Sequence, residues 1–337
     1  MHDWVTMKIS CDHVGIISNG SVVKISKDNE IEWTALSWLP VAGSHDSNIV
    51  IRSISDSQLE ISGNPAKWLQ GHNLFGTNDL KALCWAFFSK LCTIKELSLT
   101  PSVEQIRAIK EGMFTVSRVD INESWLLANR FEVLSWIRSA EQKVRLKHRG
   151  TGQFKGSTLY WGKGSKRWFL KCYSKGEEIN SKNSNFPDAL RTPQMLEYAE
   201  RALRVEMTIK SNALREMGLH IAANWTPETA KMLLLNSLKG LEMSNNFSLS
   251  NDVLVTLPPR VRLAYAAWYN GDDLRQILSR PTFYRYRKQL KEYDIDISIL
   301  RDVDKEPSNV IPLIRVLEAQ PVGIPDWAIE QGLVVCA

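Results

Sequence analysis

The apolar–polar patterning predicts an α+β chain, with a largely antiparallel sheet domain over residues 1–220 and a mostly α-helical domain over 221–337. Three observations carry this. At 337 residues the chain exceeds a typical single domain. Segments of period two and segments of helical period are mixed through the first two thirds. Beyond about residue 223 the strand signals fade. Residues 3–9 and 48–61 alternate like strands. Asp79 to Leu91 reads as a helix with Leu80, Leu83, Cys84 and Phe87 on one face. Phe114 to Ile121 reads as a strand, and Glu123 to Lys147 as a helix with Leu127, Phe131, Leu134 and Ile137 inward. Ser157 to Trp161 and Arg167 to Tyr173 form a hairpin turned by Gly162 to Gly164. A helix from Pro193 to Ala202 leads into a strand from Leu203 to Ile209. The second domain has helices at Pro227 to Glu242, Pro259 to Tyr269 and, in two short pieces, 272–293. A Ser- and Asn-rich loop is expected at 244–251, and an extended tail from Pro307 that packs back onto the molecule.

Composition narrows the class. Apolar content of 44% suffices for a packed core and argues against disorder. Five dispersed Cys, with no Cys-x-x-Cys pair, read as reduced thiols and not as a disulfide scaffold or zinc site. No secretory signal is expected at the N-terminus, and no apolar run reaches the roughly 18 residues of a membrane span. The net charge of +5 matters only where it is concentrated. Between Gln142 and Gly176 there are ten Lys or Arg and no Asp or Glu. That stretch reads either as a solvated face or, with Trp161 and Trp168 interleaved, as a nucleic-acid track carrying Lys163, Lys166 and Arg167.

Side chains alternate across a strand. One face of the Arg167–Tyr173 strand therefore carries Arg167, Phe169, Lys171 and Tyr173. In the 203–210 segment Arg204, Glu206, Thr208 and Lys210 are expected to face outward. Arg118 and Asp120 share a face of the preceding strand. These faces fit a half-solvated sheet with cross-strand ion pairs. They also fit phosphodiester transesterification, which needs a hydroxyl nucleophile, a divalent metal and cations near the developing charge.

The string from Pro65 to Leu80, Pro-Ala-Lys-Trp-Leu-Gln-Gly-His-Asn-Leu-Phe-Gly-Thr-Asn-Asp-Leu, resembles the gene II replication-initiator family of filamentous phages. Further on, Ser117-Arg118-Val119-Asp120 matches a Ser-Arg-x-Asp strand of that family. Ser157, Thr158, Trp161, Tyr173, Lys175 and Glu178 match the pattern around its nucleophilic Tyr, and Arg204-Val-Glu206 its Arg-x-Glu strand; Asp3 also fits. The match spans roughly residues 1–215, and departs in the loops at 10–50 and after 215, so origin recognition is not carried over.

The resemblance implies a rolling-circle initiator fold and a nicking–joining enzyme of the bacterial host cytoplasm. It would cut one strand of double-stranded origin DNA and rejoin the displaced single strand, working with host helicase and polymerase and with no membrane. Tyr173 is the implied nucleophile. A phenol titrates near 10, so cations must favour the phenolate, and Lys171 and Lys175 are placed to help. Asp120 and Glu206 are hard oxygen ligands suited to Mg²⁺ or Mn²⁺, with His72 a third candidate. Arg118 and Arg204 are candidate DNA contacts, and Glu178, Asn73 and Lys67 supporting residues. In the second domain Asp272 or Asp273 caps a short helix and Pro281 opens a basic one. Phe283, Tyr286, Leu290 and Tyr293 would face inward, leaving Arg285 and Lys288 to read DNA as a helix-turn-helix. A non-catalytic DNA-binding phage regulator, and a relaxase of a plasmid or integrative element, remain alternative readings.

Overall fold

The computed structural model describes residues 1–43, 47–147, 149–182, 184–243, 251–293, 295, 297–298, 316–317 and 320–335. The expected loop at 244–250 and most of the tail from Pro307 lie outside these residues.

The strands are β1 (His2–Ser10), β2 (Ser21–Ile25), β3 (Ile31–Leu36), β4 (Leu39–Ala42), β5 (Asn48–Ser55), β6 (Gln58–Gly63), β7 (Thr115–Leu126), β8 (Val144–Leu146), β9 (Gly150–Thr151), β10 (Gln153–Lys155), β11 (Thr158–Trp161), β12 (Trp168–Ser174), β13 (Ala202–Lys210) and β14 (Leu241–Met243). Nine of them form one antiparallel sheet in the order β10-β11-β12-β13-β7-β1-β6-β5-β4. The fold is α+β, a large antiparallel sheet with helices followed by a more helical region.

One face of the sheet is apolar. Val205, Met207 and Ile209 of β13, with Val119 and Ile121 of β7, are buried in one core cluster that also takes in side chains of the helix α2 (Leu80–Leu91), which follows α1 (Pro65–Gln70). Six α2 side chains are buried, Leu80, Leu83, Cys84, Phe87, Phe88 and Leu91. For the large ones, burial contributes about 1.5–3 kcal/mol each. Asp79 caps α2 by accepting from the Ala82 N–H. The next helices are α3 (Val103–Glu111), α4 (Arg130–Lys143), α5 (Lys175–Ile179), α6 (Pro193–Arg201), α7 (Ser211–Glu216) and α8 (Pro227–Leu238).

One boundary differs from the sequence reading. Glu123 to Leu126 extends β7 and is not helical, because β13 pairs with it as far as Leu126. With α4 starting only at Arg130, its inward side is Val133, Trp136, Ile137 and Ala140, while Phe131 is 80% exposed. The strands of the large sheet end at Lys210, shortly before the composition change near 220. Ala230, Leu234 and Leu238 of α8 belong to the same core, and β14 pairs with β8.

The more helical region holds α9 (Asn251–Thr256), α10 (Pro259–Tyr269), α11 (Leu274–Ile277) and α12 (Arg280–Lys291) around its own cluster, including Val261, Trp268, Phe283, Tyr286 and Leu290. Tyr293, expected inward, is 39% exposed, since the helix ends at Lys291. The chain then returns to the first part. The Val322 N–H donates to Ser124 O at 2.8 Å, and α13 (Asp326–Glu330) sets Trp327 edge-on to Phe75 with centroids 5.4 Å apart. Among the described residues no helix is long and apolar enough to cross a membrane.

Candidate active site

The other face of the sheet is polar, and its register forms three cross-strand rows. Directly opposed residues of an antiparallel pair share a face. One row is Tyr160–Lys171–Glu206–Asn122, across β11, β12, β13 and β7. On one side of it lies Tyr173–Arg204–Ser124, and on the other Phe169–Thr208–Asp120. Asp120 and Glu206 are therefore diagonal neighbours on one face. A bulge in β1 between His2 and Val5 completes the arrangement. His2 packs on Trp225 and Val5 enters the core. Asp3 instead bonds Asn73, and Trp4 bonds Ser62 under the Arg118 guanidinium. Bulges re-aim side chains in this way.

The segment after β6 supplies the cover. Asn64 caps α1 by accepting from the Lys67 N–H, Pro65 begins it, and Gly71, at φ 84°, ends it in the left-handed region. Asn73 is thereby delivered over the polar face. Its Oδ1 accepts from Lys175 Nζ at 2.7 Å, and its Nδ2 donates to Asp3 Oδ1 at 2.9 Å. Asn64 also donates to Asp3. Ser174 caps α5 directly after Tyr173, which places Lys175 in the first turn and Glu178 within 2.6 Å of its Nζ.

The result is a cleft of about 320 Å³ lined by Asp3, Asn73, Thr158, Lys171, Tyr173, Glu178 and Glu206, among others. At its base the Tyr173 hydroxyl donates to Glu206 Oε2 at 3.2 Å. Lys171 Nζ holds the other oxygen, Oε1, at 2.6 Å. Burial, with Glu178 and Glu206 nearby, raises the Tyr173 phenol well above its ordinary value. Burial beside Asp3 and Asp120 likewise raises Glu206, to about 8, against the pull of Lys171. Burial and Arg204 lower Lys175, against the pull of Glu178. The phenol is thus held protonated, and burial favours the protonated form of Glu206 as well, against the pull of Lys171.

Two family descriptions match this chain, the N-terminal region of the phage replication-associated protein (the gene II product) over residues 1–228, and the C-terminal region of the same protein over 249–334. The replication-associated protein of Enterobacteria phage I2-2 is 37% identical, over 96% of this chain and 95% of its own length. The chain belongs to the gene II replication-protein family of filamentous phages. The replication-associated protein of Enterobacteria phage M13 is 26% identical, with 82% of this chain and 78% of its own length covered, and that of Salmonella phage IKe is 22% identical, with 81% and 75% covered.

In this member of the gene II family the cleft brings together Tyr173, Lys171, Glu206, Asn73 and Glu178. Three residues stand elsewhere. His72 Nδ1 accepts from the Leu74 N–H at 3.3 Å, so its Nε2 carries the proton, which goes to Leu333 O at 2.8 Å. No lone pair is left for a metal, and His72 braces the loop. Arg204, expected outward, is fully buried. It donates to Asn73 O, to Leu74 O at 2.7 Å and to Ser124 Oγ at 3.2 Å, so it pins the cover. Lys67 lies on α1 and does not line the cleft. Arg118 holds both Asp120 oxygens, at 2.8 and 2.6 Å. Arg167 is paired with Glu216, while Lys163 and Lys166 are exposed. Trp161 is core and donates to Val144 O at 3.3 Å, and Trp168 lies under Arg149. Arg285 and Lys288 are exposed on α12, but α11, the first helix of the expected helix-turn-helix, is a single turn.

The sequence reading assigned no site role to Asn64, Asn122 or Thr208, although it placed Thr208 on the polar face of its strand. Asn122 Nδ2, Asn122 Oδ1 and Thr208 Oγ1 are buried with no hydrogen-bond partner, in the rows that hold Glu206 and Asp120. Each such atom costs about 1–3 kcal/mol when left unpaired. Among the described residues no three His, Cys, Asp or Glu side chains form a closed metal cage. The hard oxygen donors Asp120, Glu206, Asn122 and Thr208 fit a Mg²⁺-type ion, which takes one or two carboxylates and completes its shell with water and substrate phosphate.

Proposed function

We propose that this member of a phage replication-protein family initiates rolling-circle replication by nicking one strand of the double-stranded origin through Tyr173, and later rejoins the displaced strand. The Tyr173–Glu206 hydrogen bond at the base of the cleft is the observation that carries this reading. Glu206, in the ionised form that Lys171 favours, takes the phenolic proton as Tyr173 Oη attacks the phosphorus. The Oη–P bond forms, the P–O bond to the 3′ oxygen breaks, and the leaving oxygen takes a proton from solvent water to become the 3′-hydroxyl used by the host polymerase. The tyrosyl phosphodiester conserves the bond energy, so attack by a 3′-hydroxyl reverses the step and closes the circle. Lys171 stays charged on Glu206 and stabilises the charge that develops on the phosphate. Lys175, bonded to Asn73 and Glu178 with its Nζ 5.9 Å from the Tyr173 ring centroid, acts by fixing the wall of the cleft. Asp120 and Glu206 would hold the Mg²⁺ or Mn²⁺ ion, with Asn122 and Thr208 beside it. When bound, such an ion polarises the scissile phosphate.

The test is nicking of supercoiled plasmid carrying the native origin, with Mg²⁺ and with EDTA. Open circles in Mg²⁺ alone support the reading. Sequence-specific binding without any nick would favour the non-catalytic regulator.

A further inference from the structure

The polar face does not end at the cleft. The Lys171 row continues outward to Tyr160 on β11, and Phe169 lies one pleat back along β12. Tyr160 and Phe169 are both half-buried, with ring centroids 6.1 Å apart at 45°. Neither ring lines the cleft, and neither lies in the apolar core. Both are set among cations. Lys163 Nζ lies 4.2 Å from the Tyr160 centroid and Lys210 Nζ 5.5 Å from that of Phe169, with Lys155 close to Lys163. The 142–176 segment that carries the pair contains no acidic residue. Two half-open aromatic rings, each with a lysine beside it, match unpaired bases on a charged backbone, because every base has a π-face and paired bases do not expose theirs.

We propose that Tyr160 and Phe169 form a stacking platform for unpaired bases of single-stranded DNA, with Lys155, Lys163 and Lys210 contacting its phosphates. That the platform serves the strand being cut rests on the reading of Tyr173 as nucleophile. Phe169 and Tyr173 are four residues apart on one strand, roughly 13 Å, a span of a few nucleotides. The platform thus holds the strand beside the scissile phosphate once the duplex has opened.

The test is binding of a fluorescein-labelled oligothymidine to the full chain in EDTA, followed by anisotropy at several salt concentrations. Tyr160→Ala and Phe169→Ala should each weaken binding roughly five- to hundredfold with an unchanged salt slope. Tyr160→Phe should bind like wild type, because the ring and not the hydroxyl is used. Tyr160→Leu and Phe169→Leu preserve the packing and should fall with the alanine variants. Lys163→Gln should flatten the salt slope by about one unit. Binding of blunt duplex should be unaffected by the ring changes. Wild-type affinity in both alanine variants, loss of binding in Tyr160→Phe, or equal losses on duplex would each overturn the platform. No strand is cut in EDTA, so this assay does not depend on which residue is the nucleophile. A failure of the nucleophile assignment would show in plasmid nicking alone, and a failure of the platform in oligothymidine binding alone.

Discussion

The proposed chemistry of the cleft rests on two hydrogen bonds, from the Tyr173 hydroxyl to one Glu206 oxygen and from Lys171 to the other. Glu206→Gln keeps the shape and removes the proton acceptor, and should reduce nicking roughly 10²–10⁴-fold with duplex binding intact. Asp120→Ala should also lose Mg²⁺-dependent cleavage, and it frees Arg118 from its bidentate partner. Duplex affinity that fell in step with the nicking rate would instead point to a damaged fold. His2 provides a pH signature of the same buried geometry. Burial, reinforced by the neighbouring amino terminus, lowers His2 to about 3, so the folded chain excludes a proton that the unfolded chain binds below about 6.5. Stability from this group is intact above pH 6.5 and is lost on acidification, by up to about 1.4 kcal/mol per pH unit, until the folded group titrates. Denaturant melts at pH 7 and pH 5 should show a smaller acid loss for His2→Gln than for wild type.

At the scale of elements, the segment after α1 and the returning C-terminal segment act together. His72 donates to Leu333 O, the Val335 N–H donates to Gln70 Oε1, and Trp327 abuts Phe75. The same loop carries Asn73, which holds Asp3, Lys175 and Arg204. Trp327→Ala should therefore lower stability by about 2 kcal/mol and slow nicking more than its distance from the cleft suggests. Thermal melts and nicking rates of one preparation check both, and an unchanged nicking rate would separate this contact from the site. Much of this site is legible from period two alone. Alternation puts Lys171 and Tyr173 on one face and Asp120 with Arg118 on another. It does not say what covers a face, so by itself it leaves Arg204 in solvent. The cover comes from residues 73 and 74 and, through His72, from residue 333. Alternation cannot reveal Asn122 either, whose meaning depends on lying opposite Glu206. The aromatic platform lies one residue away, in each strand, from the rings that the sequence reading singles out. Trp161 and Trp168 are larger, but Tyr160 and Phe169 share the face of the site.

The whole molecule joins a sheet that holds a cleft to a helical cluster that exposes a basic helix. If α12 reads the origin, Arg285→Ala and Lys288→Ala should each cost roughly 1–3 kcal/mol on origin duplex and little on scrambled duplex. Neutralising Lys163 and Lys166 together should weaken binding to all sequences, and flatten the salt slope by about one unit for each phosphate no longer touched. Equal losses on both duplexes for the α12 variants would make that helix a backbone clamp. The central claim is that Tyr173 becomes covalently joined to DNA. Its most direct test is to incubate the full chain with origin plasmid and Mg²⁺, digest the protein and the DNA, and identify by mass spectrometry the peptide that carries a nucleotide. The account predicts a nucleotide on Tyr173, and neither adduct nor nick from Tyr173→Phe despite normal duplex binding. An adduct on Tyr160 or Tyr198, or nicking by Tyr173→Phe at near the wild-type rate, would contradict it.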